Sequence, residues 1–194
     1  LTDGFDSRPV IYYHYNKPYY RGLLERHGLE PAMRVLSWEV PVNTPMEEKL
    51  ERVSRLVMKR NKVTLETWGE RPLAERKREM LEIYNDAWDR NFGFVPFSPE
   101  EFSKIIDDMM LILNKDLFVF AYVGGEPAAF FGGVPNIAET LVPGRLFPRF
   151  ELLRALRMLL GVRRVKGFRL GYLGVKRKFQ RLGLPAVLLW HQKG

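Results

Sequence analysis

Cysteine is absent from this chain of 194 residues. Its absence excludes disulfides, thiolate catalysis and cysteine-ligated metals within the chain. No apolar stretch approaches the roughly 18 consecutive residues that a membrane-spanning helix needs. We therefore expect a cytoplasmic protein with no membrane partner. Hydrophobic residues nevertheless make up 46% of the sequence and aromatic residues 13%, which is enough to form a packed core.

Acidic residues are scarce in one part of the sequence. Residues 145–181 contain twelve Lys and Arg but a single acid, Glu151, in a chain whose net charge is +8. Such a block attracts phosphate-bearing partners: nucleic acid, an anionic membrane or a phosphorylated cofactor. The alternative is a solvated basic face that only keeps the protein soluble. For the helix predicted at 150–160, with Arg154 and Arg157, we favour the solvated face over contact with a membrane or RNA.

The first sixty residues predict two strands and two helices. Runs of β-branched and aromatic residues predict strands at 8–15 and 33–40. Between these strands we predict a helix from Pro18 to about Arg26. A capping-box pattern at residues 44–47 predicts the start of a second helix.

A new structural unit is predicted from Lys62 onward. Ser98-Pro99-Glu100-Glu101 is the strongest local pattern, because it combines an N-cap, a proline at the first helical position and a glutamate at the third. Gly124-Gly125 predicts a hairpin turn with positive φ. A helix from Pro72 is predicted to bury one apolar stripe: Leu73, Met80, Tyr84, Ala87 and Trp88. The other predicted elements are strands at 63–67, 117–123, 127–133 and 168–175, an irregular loop at 135–149, a helix at 150–160, and a turn at 176–184 before a helix from Pro185.

Two short segments near the end resemble a known family. Leu173-Gly174-Val175, followed by residues 179–186, resembles the acetyl-CoA signature of the GNAT acyltransferase superfamily. In that signature a strand ending in L-x-V precedes Q/R-x-x-G-x-G/A at the head of a helix, and the order of elements from residue 62 is also similar to the GNAT fold. The resemblance implies an α/β protein with a mixed, largely antiparallel sheet flanked by helices, and acetyl-CoA as co-substrate. It implies these cofactor-binding residues: Leu173, Gly174, Val175, Gln180, Arg181, Leu182, Gly183, Leu184, Pro185 and Ala186.

Elementary physics favours the same interpretation of this turn. Free backbone N–H groups at a helix N-terminus, together with the helix dipole, bind pyrophosphate. Gly183 permits the close approach of the backbone, and the cations at 176–178 and Arg181 lie beside it in sequence. The sequence departs from the pattern at Pro185, where Gly or Ala is usual. Proline is tolerated in the first helical turn, but it removes one N–H donor.

A second resemblance lies near the beginning of the chain. Residues 16–29, NKPYYRGLLERHGL, are similar to the final helix of the GNAT fold. A segment that resembles the end of the GNAT fold therefore precedes a segment that resembles its beginning. The resemblance implies that this chain is a fragment of a protein with two GNAT-like domains in tandem. We expect residues 1–42 to be the C-terminal portion of a first GNAT-like domain, with residues 43–61 as a linker helix. Residues 62–194 are then the N-terminal portion of a second GNAT domain, truncated after the CoA-binding turn.

The resemblance also implies an acceptor site. It assigns substrate binding to Trp88, Asn91, Phe92, Gly93 and Phe94, with Asn85 and Asn136 as weaker candidates. The alternative is that Trp88 belongs to the core at the end of a helix. The histidines are too scattered to form a metal site, so we predict no metal.

No catalytic acid or base is assigned from the sequence. In many members of the family a tyrosine on the last helix acts as the general acid. In the first unit of this chain, the matching position holds Leu23 or Leu24. The prediction is an N-acyltransferase that transfers an acetyl group from acetyl-CoA to an unknown amine, although this fragment is expected to be inactive alone. The alternative is a non-catalytic binding module of the same fold that uses the basic patch at 145–181 for nucleic acid or another polyanion.

Overall fold

The computed structural model of the chain describes residues 10, 13, 16–41, 44–45, 48–140 and 151–193, the side chains of 151–155, 163 and 193 excepted. The helices are α1 (Tyr19–Arg26), α2 (Glu48–Asn61), α3 (Leu73–Ala87), α4 (Pro99–Met109), α5 (Glu151–Gly161) and α6 (Leu184–Lys193). The strands are β1 (Val63–Thr67), β2 (Phe118–Val123), β3 (Glu126–Pro135) and β4 (Phe168–Val175). Short 3-10 helices occupy Trp68–Glu70, Lys115–Leu117, Ile137–Thr140, Val162–Arg164 and Arg177–Leu182.

The four strands form one sheet in the order β1-β2-β3-β4, and each described pairing is antiparallel. Gly124 and Gly125 join β2 to β3 with φ values of 59° and 85°, as a tight hairpin turn requires. The predicted α/β class, with a largely antiparallel sheet flanked by helices, is therefore confirmed.

Both faces of the sheet are covered, which explains why its central strands are almost continuously apolar. Phe118 and Phe120 of β2 belong to the core cluster that includes residues of α3 and α4. Val119 and Ala121, the alternate residues, belong to the cluster that includes α6 and is packed by α2. Each fully buried phenylalanine contributes about 2–3 kcal/mol through burial. The sheet is therefore the middle layer between two pairs of helices.

Helix α4 begins as the sequence predicts. The Ser98 side chain accepts a hydrogen bond from the Glu101 backbone N–H at 3.2 Å, and Glu101 Oε2 accepts one from the Ser98 N–H at 2.9 Å. Pro99 occupies the first turn. This reciprocal bonding satisfies two backbone donors that would otherwise lack partners, and the hydrogen bond from Ser98 lowers the pKa of Glu101.

The apolar stripe predicted for α3 is only partly right. Leu73 is exposed, whereas Arg76 and Glu79 are buried with Met80 and Ile83. Burial of these charges is tolerated because they pair with each other: Arg76 Nη1 lies 2.9 Å from Glu79 Oε2. Both side chains also form a hydrogen bond with the hydroxyl of Tyr122, a buried residue of β2.

The strand predicted at 33–40 is wrong. These residues belong to no sheet, and their apolar side chains are exposed, with Val35 81% and Trp38 83% accessible. An extended apolar segment forms a strand only when a neighbouring strand supplies backbone partners, and none of the described strands lies beside it. The helix before it, α1, forms where it was predicted. The predicted strand at 8–15 lies outside the described residues, except for Val10 and Tyr13.

Candidate functional site

The turn between β4 and α6 is the centre of the candidate site. Strand β4 ends at Val175, a 3-10 helix covers Arg177–Leu182, and α6 begins at Leu184. Between them Gly183 has φ 80° and ψ 21°, the left-handed conformation that glycine adopts with little cost. The predicted strand, turn and helix N-terminus at 173–186 are therefore confirmed as structure.

A pocket of about 300 Å³ opens beside this turn. Four of the residues that line it come from the predicted cofactor set: Leu173, Val175, Gln180 and Pro185. Two more come from the predicted acceptor set, Trp88 and Asn91, and Ala87 completes the lining. The fold thus brings together two groups of residues that lie about 90 positions apart in the sequence.

Other members of the predicted set support this pocket from behind. Leu184 is fully buried, and Leu182 packs against the same core cluster. Gly174 lies beneath Trp88, because a Cβ added there would stand 2.5 Å from Trp88 Cζ3. Arg181 is exposed, and Ala186 donates its N–H to the Gly183 carbonyl at 3.1 Å. Neither of these last two residues lines the pocket.

Trp88 has both of the roles that the sequence left open. Its ring stacks on Tyr84 with centroids 4.9 Å apart and lies 6.3 Å from the ring of Phe130, and another part of it faces the pocket. Phe92, Gly93 and Phe94 do not line the pocket, but the ring of Phe94 lies 5.6 Å from that of Tyr84. Burial raises the pKa of Tyr84. One wall of the pocket is therefore backed by an aromatic cluster.

The weaker candidates lie elsewhere. The side-chain amide of Asn85 bonds the backbone of Phe97 in both directions, at 3.0 and 3.1 Å, so it fixes the loop that follows α3. Asn136 follows the end of β3 that pairs with the start of β4, whereas the pocket is at the other end of β4. Neither side chain faces the pocket.

Acidic residues of α3 and the loop after it hold the turn. Arg177 donates its backbone N–H to Asp86 at 2.5 Å, and its side chain lies 2.9 Å from Asp89. The buried Lys176 ammonium pairs with Glu82. These three acids were not predicted as part of the site, although their spacing of four and three residues is the spacing of side chains along one face of a helix.

The cations of the turn thus differ in whether the fold neutralises their charge. Lys178 bonds Glu126 of the β2–β3 hairpin at 2.6 Å, and this bond lowers the pKa of Glu126. Residues 176–178 are therefore all neutralised within the fold. Arg181 has no ion pair among the residues that the structure describes, so its charge is directed to solvent or to a ligand.

The described lining of the pocket has the chemistry of a binding site. None of its seven side chains titrates near neutral pH. No group of three His, Asp or Glu within the described ranges is arranged to hold a metal ion. A reaction in this pocket needs a proton acceptor from another part of the protein or from the substrate itself.

No family model matches the chain. It is 30% identical over 198 residues to protein YghO of Escherichia coli, an alignment that covers 97% of this chain and 49% of the relative. It is 26% identical over 182 residues to a bacterial ceramide synthase of Caulobacter vibrioides, covering 93% of this chain and 47% of the relative. The chain therefore spans about half the length of the curated relatives it matches, and one of them carries an acyltransferase-type name. Among the described residues, no helix has the length and apolar character to cross a membrane.

Proposed function

We propose that this chain carries the coenzyme A-binding part of a cytoplasmic GNAT-type N-acyltransferase. The observation that supports the proposal most strongly is the pocket itself, where the end of β4, the turn and the end of α3 converge. In the reaction, an amine nitrogen attacks the thioester carbonyl, a C–N bond forms, the C–S bond breaks, and the amine proton is passed to a base while the CoA thiol leaves.

Each part of the site has a role in this proposal. Strand β4 is the last strand of the described sheet, so one backbone edge of Leu173–Val175 faces away from β3 and is available for the pantetheine arm. The turn at Gly183 and the start of α6 bind the pyrophosphate through backbone N–H groups, although Pro185 has none and Ala186 donates its N–H to the Gly183 carbonyl. Arg181 supplies the positive charge that attracts the pyrophosphate, because the charges of residues 176–178 are neutralised by ion pairs within the fold. Trp88 and Asn91 face the reacting end.

The ceramide synthase among the relatives supports acyl transfer to nitrogen, because a ceramide is an N-acylated amine. The resemblance to the GNAT family suggests acetyl-CoA as the donor. The pocket volume of about 300 Å³ is several times that of an acetyl group, so the pocket has room for a longer acyl chain. The activity test therefore compares donors with acyl chains of different lengths.

The tandem division proposed from the sequence fits the same picture. The relatives are about twice as long as the matched region, and residues 33–40 expose a strand-like apolar segment without a sheet. We infer that residues 1–42 belong to a first domain, whose remaining part would cover these apolar side chains, and that residues 62–194 begin a second domain.

Thiol release from acyl-CoA tests the proposed activity directly. The intact protein is incubated with acetyl-, octanoyl- and palmitoyl-CoA and a panel of amines, and the free CoA thiol is measured with a thiol reagent. This chain contributes no background, since it has no cysteine. Trp88→Ala is expected to lower kcat/KM by about tenfold or more, because the acceptor and thioester lose a positioning wall.

Phe92→Ala is the matched control for that variant. Phe92 is an aromatic residue of the same loop, but it is 73% exposed and does not line the pocket. Its kcat/KM should stay within about twofold of wild type. Absence of amine-dependent thiol release with all three thioesters would contradict the proposed activity.

A further inference from the structure

A second groove lies at the opposite end of β4 from the CoA pocket. Its volume is about 770 Å³, and it is formed where the end of α5 and the following 3-10 helix meet residues 139–140. Leu156 and Leu160 line it together with Arg157, Arg164 and Lys166. Apolar and cationic side chains therefore alternate around one open surface.

The leucines of this surface are unusually exposed. Leu156 is 51% accessible and Leu160 is 70% accessible, and Leu159 beside them is 42% accessible. A surface helix normally turns its leucines toward the core. Here α5 packs on the 3-10 helix Ile137–Thr140, yet these three leucines stay exposed and form an apolar strip that none of the described residues covers.

In the described part of the chain, the cations that line this groove have no carboxylate partners. Arg157, Arg164 and Lys166 form no ion pair among the described residues, in contrast to the cations at 176–178. The groove contains one acid, Glu139, whose carboxylate accepts hydrogen bonds from the backbone N–H groups of Lys166 and Gly167, both at 3.0 Å. Glu139 therefore holds the groove together through the backbone.

We propose that this α5 groove docks on an anionic lipid surface. The exposed leucines enter the boundary between headgroups and acyl chains, while Arg157, Arg164 and Lys166 contact lipid phosphates. The sequence alone favours a solvated basic face at α5 and no membrane partner; the exposed leucines argue against that interpretation. RNA is a poorer fit, because no aromatic ring lines the groove for base stacking. The proposal is independent of the CoA site.

Vesicle flotation with the intact protein tests the proposal. Vesicles of phosphatidylcholine alone are compared with vesicles that also contain about 30% phosphatidylglycerol, at about 50 mM and 500 mM salt. The wild-type protein should float with the anionic vesicles at low salt and stay unbound with phosphatidylcholine alone. Leu160→Glu should reduce the partition coefficient by about tenfold or more, and Arg164→Gln by about fivefold.

Two matched variants control for general effects of the substitutions. Leu111 is 74% exposed at the end of α4, so Leu111→Glu makes the same change at a similarly exposed leucine outside the groove. Arg78 is an exposed arginine of α3, and Arg78→Gln is the charge control. Both should bind vesicles like wild type. Circular dichroism checks that all four variants remain folded.

Three results would overturn the proposal. The first is no flotation of the intact protein with anionic vesicles at low salt. The second is flotation that Leu160→Glu and Leu111→Glu weaken equally. The third is RNA binding, or self-association seen as a doubled mass, that the groove variants abolish while vesicle binding is absent.

Discussion

At the scale of single residues, the cations around the turn divide by whether the fold already neutralises them. Lys176, Arg177 and Lys178 each have a carboxylate partner on α3, the loop after it, or the β2–β3 hairpin. Arg181 has none in the described part of the chain. A cation without an internal partner contributes attraction to a ligand anion without first breaking an ion pair.

Arg181→Ala should therefore weaken CoA binding by about threefold to tenfold at low salt, and less at about 500 mM salt, because the attraction of an exposed charge is screened. Calorimetric titration of the intact protein at the two ionic strengths measures the difference. Arg78→Ala, which removes another exposed arginine, is the control and should leave the affinity unchanged. Equal effects of the two variants would contradict a specific role of Arg181.

A second residue-scale prediction concerns pH and the buried Arg76. The hydrogen bond from Arg71 lowers the pKa of Glu66, whose Oε2 also lies 3.0 Å from Arg76 Nη2. A carboxyl group with a lowered folded-state pKa stabilises the fold above its unfolded pKa of about 4.5 and loses that contribution as pH falls through the folded value. Glu66→Gln should lower the free energy of unfolding by about 1–3 kcal/mol at neutral pH.

The difference between wild type and Glu66→Gln should shrink as the pH is lowered from neutral to below the ordinary glutamate value of about 4.5, because the wild-type carboxyl takes up a proton as the pH falls toward its lowered folded-state pKa. Urea unfolding at both pH values measures it. Glu75→Gln is the control, because Glu75 bonds only the partly exposed Arg71, at 2.6 Å, and should cost less than about 1 kcal/mol. A pH-independent difference for Glu66→Gln would show that the carboxylate charge is not what stabilises Arg76.

At the scale of elements, α3 connects the two halves of the candidate site. Its last residue, Ala87, and Trp88 directly after it line the pocket. Acids on the same helix hold the turn, with Asp86 bonded to the N–H of Arg177. The position of the turn and the position of the Trp88 wall of the pocket are therefore both set by one helix, so a shift of α3 changes both.

Asp86→Ala should weaken CoA binding by about fivefold, because loss of a cap-like acceptor at the start of the 3-10 helix costs about 1 kcal/mol. Asp89→Ala removes only a side-chain pair with Arg177 and should change the affinity by less than about twofold. Hydrogen exchange across residues 176–183 should increase in the first variant only. Identical exchange in the two variants would argue against a role for Asp86 in holding the turn.

Sequence patterns predicted an element correctly where its structure depends on residues close together in the sequence. The capping box at Ser98 and the glycine turn at Gly124-Gly125 depend on neighbours in sequence, and both formed as predicted. The burial of Arg76 was missed, because its partners include residues of β1 and β2 that come into contact only in the fold. The strand at 33–40 was wrong for the related reason that a strand needs a partner, which sequence periodicity does not supply.

At the scale of the whole molecule, the pocket lies at an edge of the sheet that helices from opposite faces both reach. Trp88 follows α3, which packs on one face, and Pro185 belongs to α6, which packs on the other. The turn could be predicted from its own residues, whereas the pocket depends on both helices. A ligand that fills the pocket therefore contacts β4 together with residues from both sides of the sheet.

Calorimetric titration of CoA into the intact protein, wild type and Gly183→Val, tests the central claim most directly. The β-branched side chain is strained at the φ of 80° that Gly183 adopts, and it crowds the backbone N–H groups of the turn. Gly124→Val is the control for the positive φ, because Gly124 has a φ of 59° in the hairpin with open space around it, whereas a Cβ at Gly183 would also stand 3.2 Å from Val57 Cγ2. Saturable binding by wild type and Gly124→Val, together with its loss in Gly183→Val, is the predicted result. No CoA binding by the wild-type protein at millimolar ligand, or equal affinity in all three proteins, would contradict the claim.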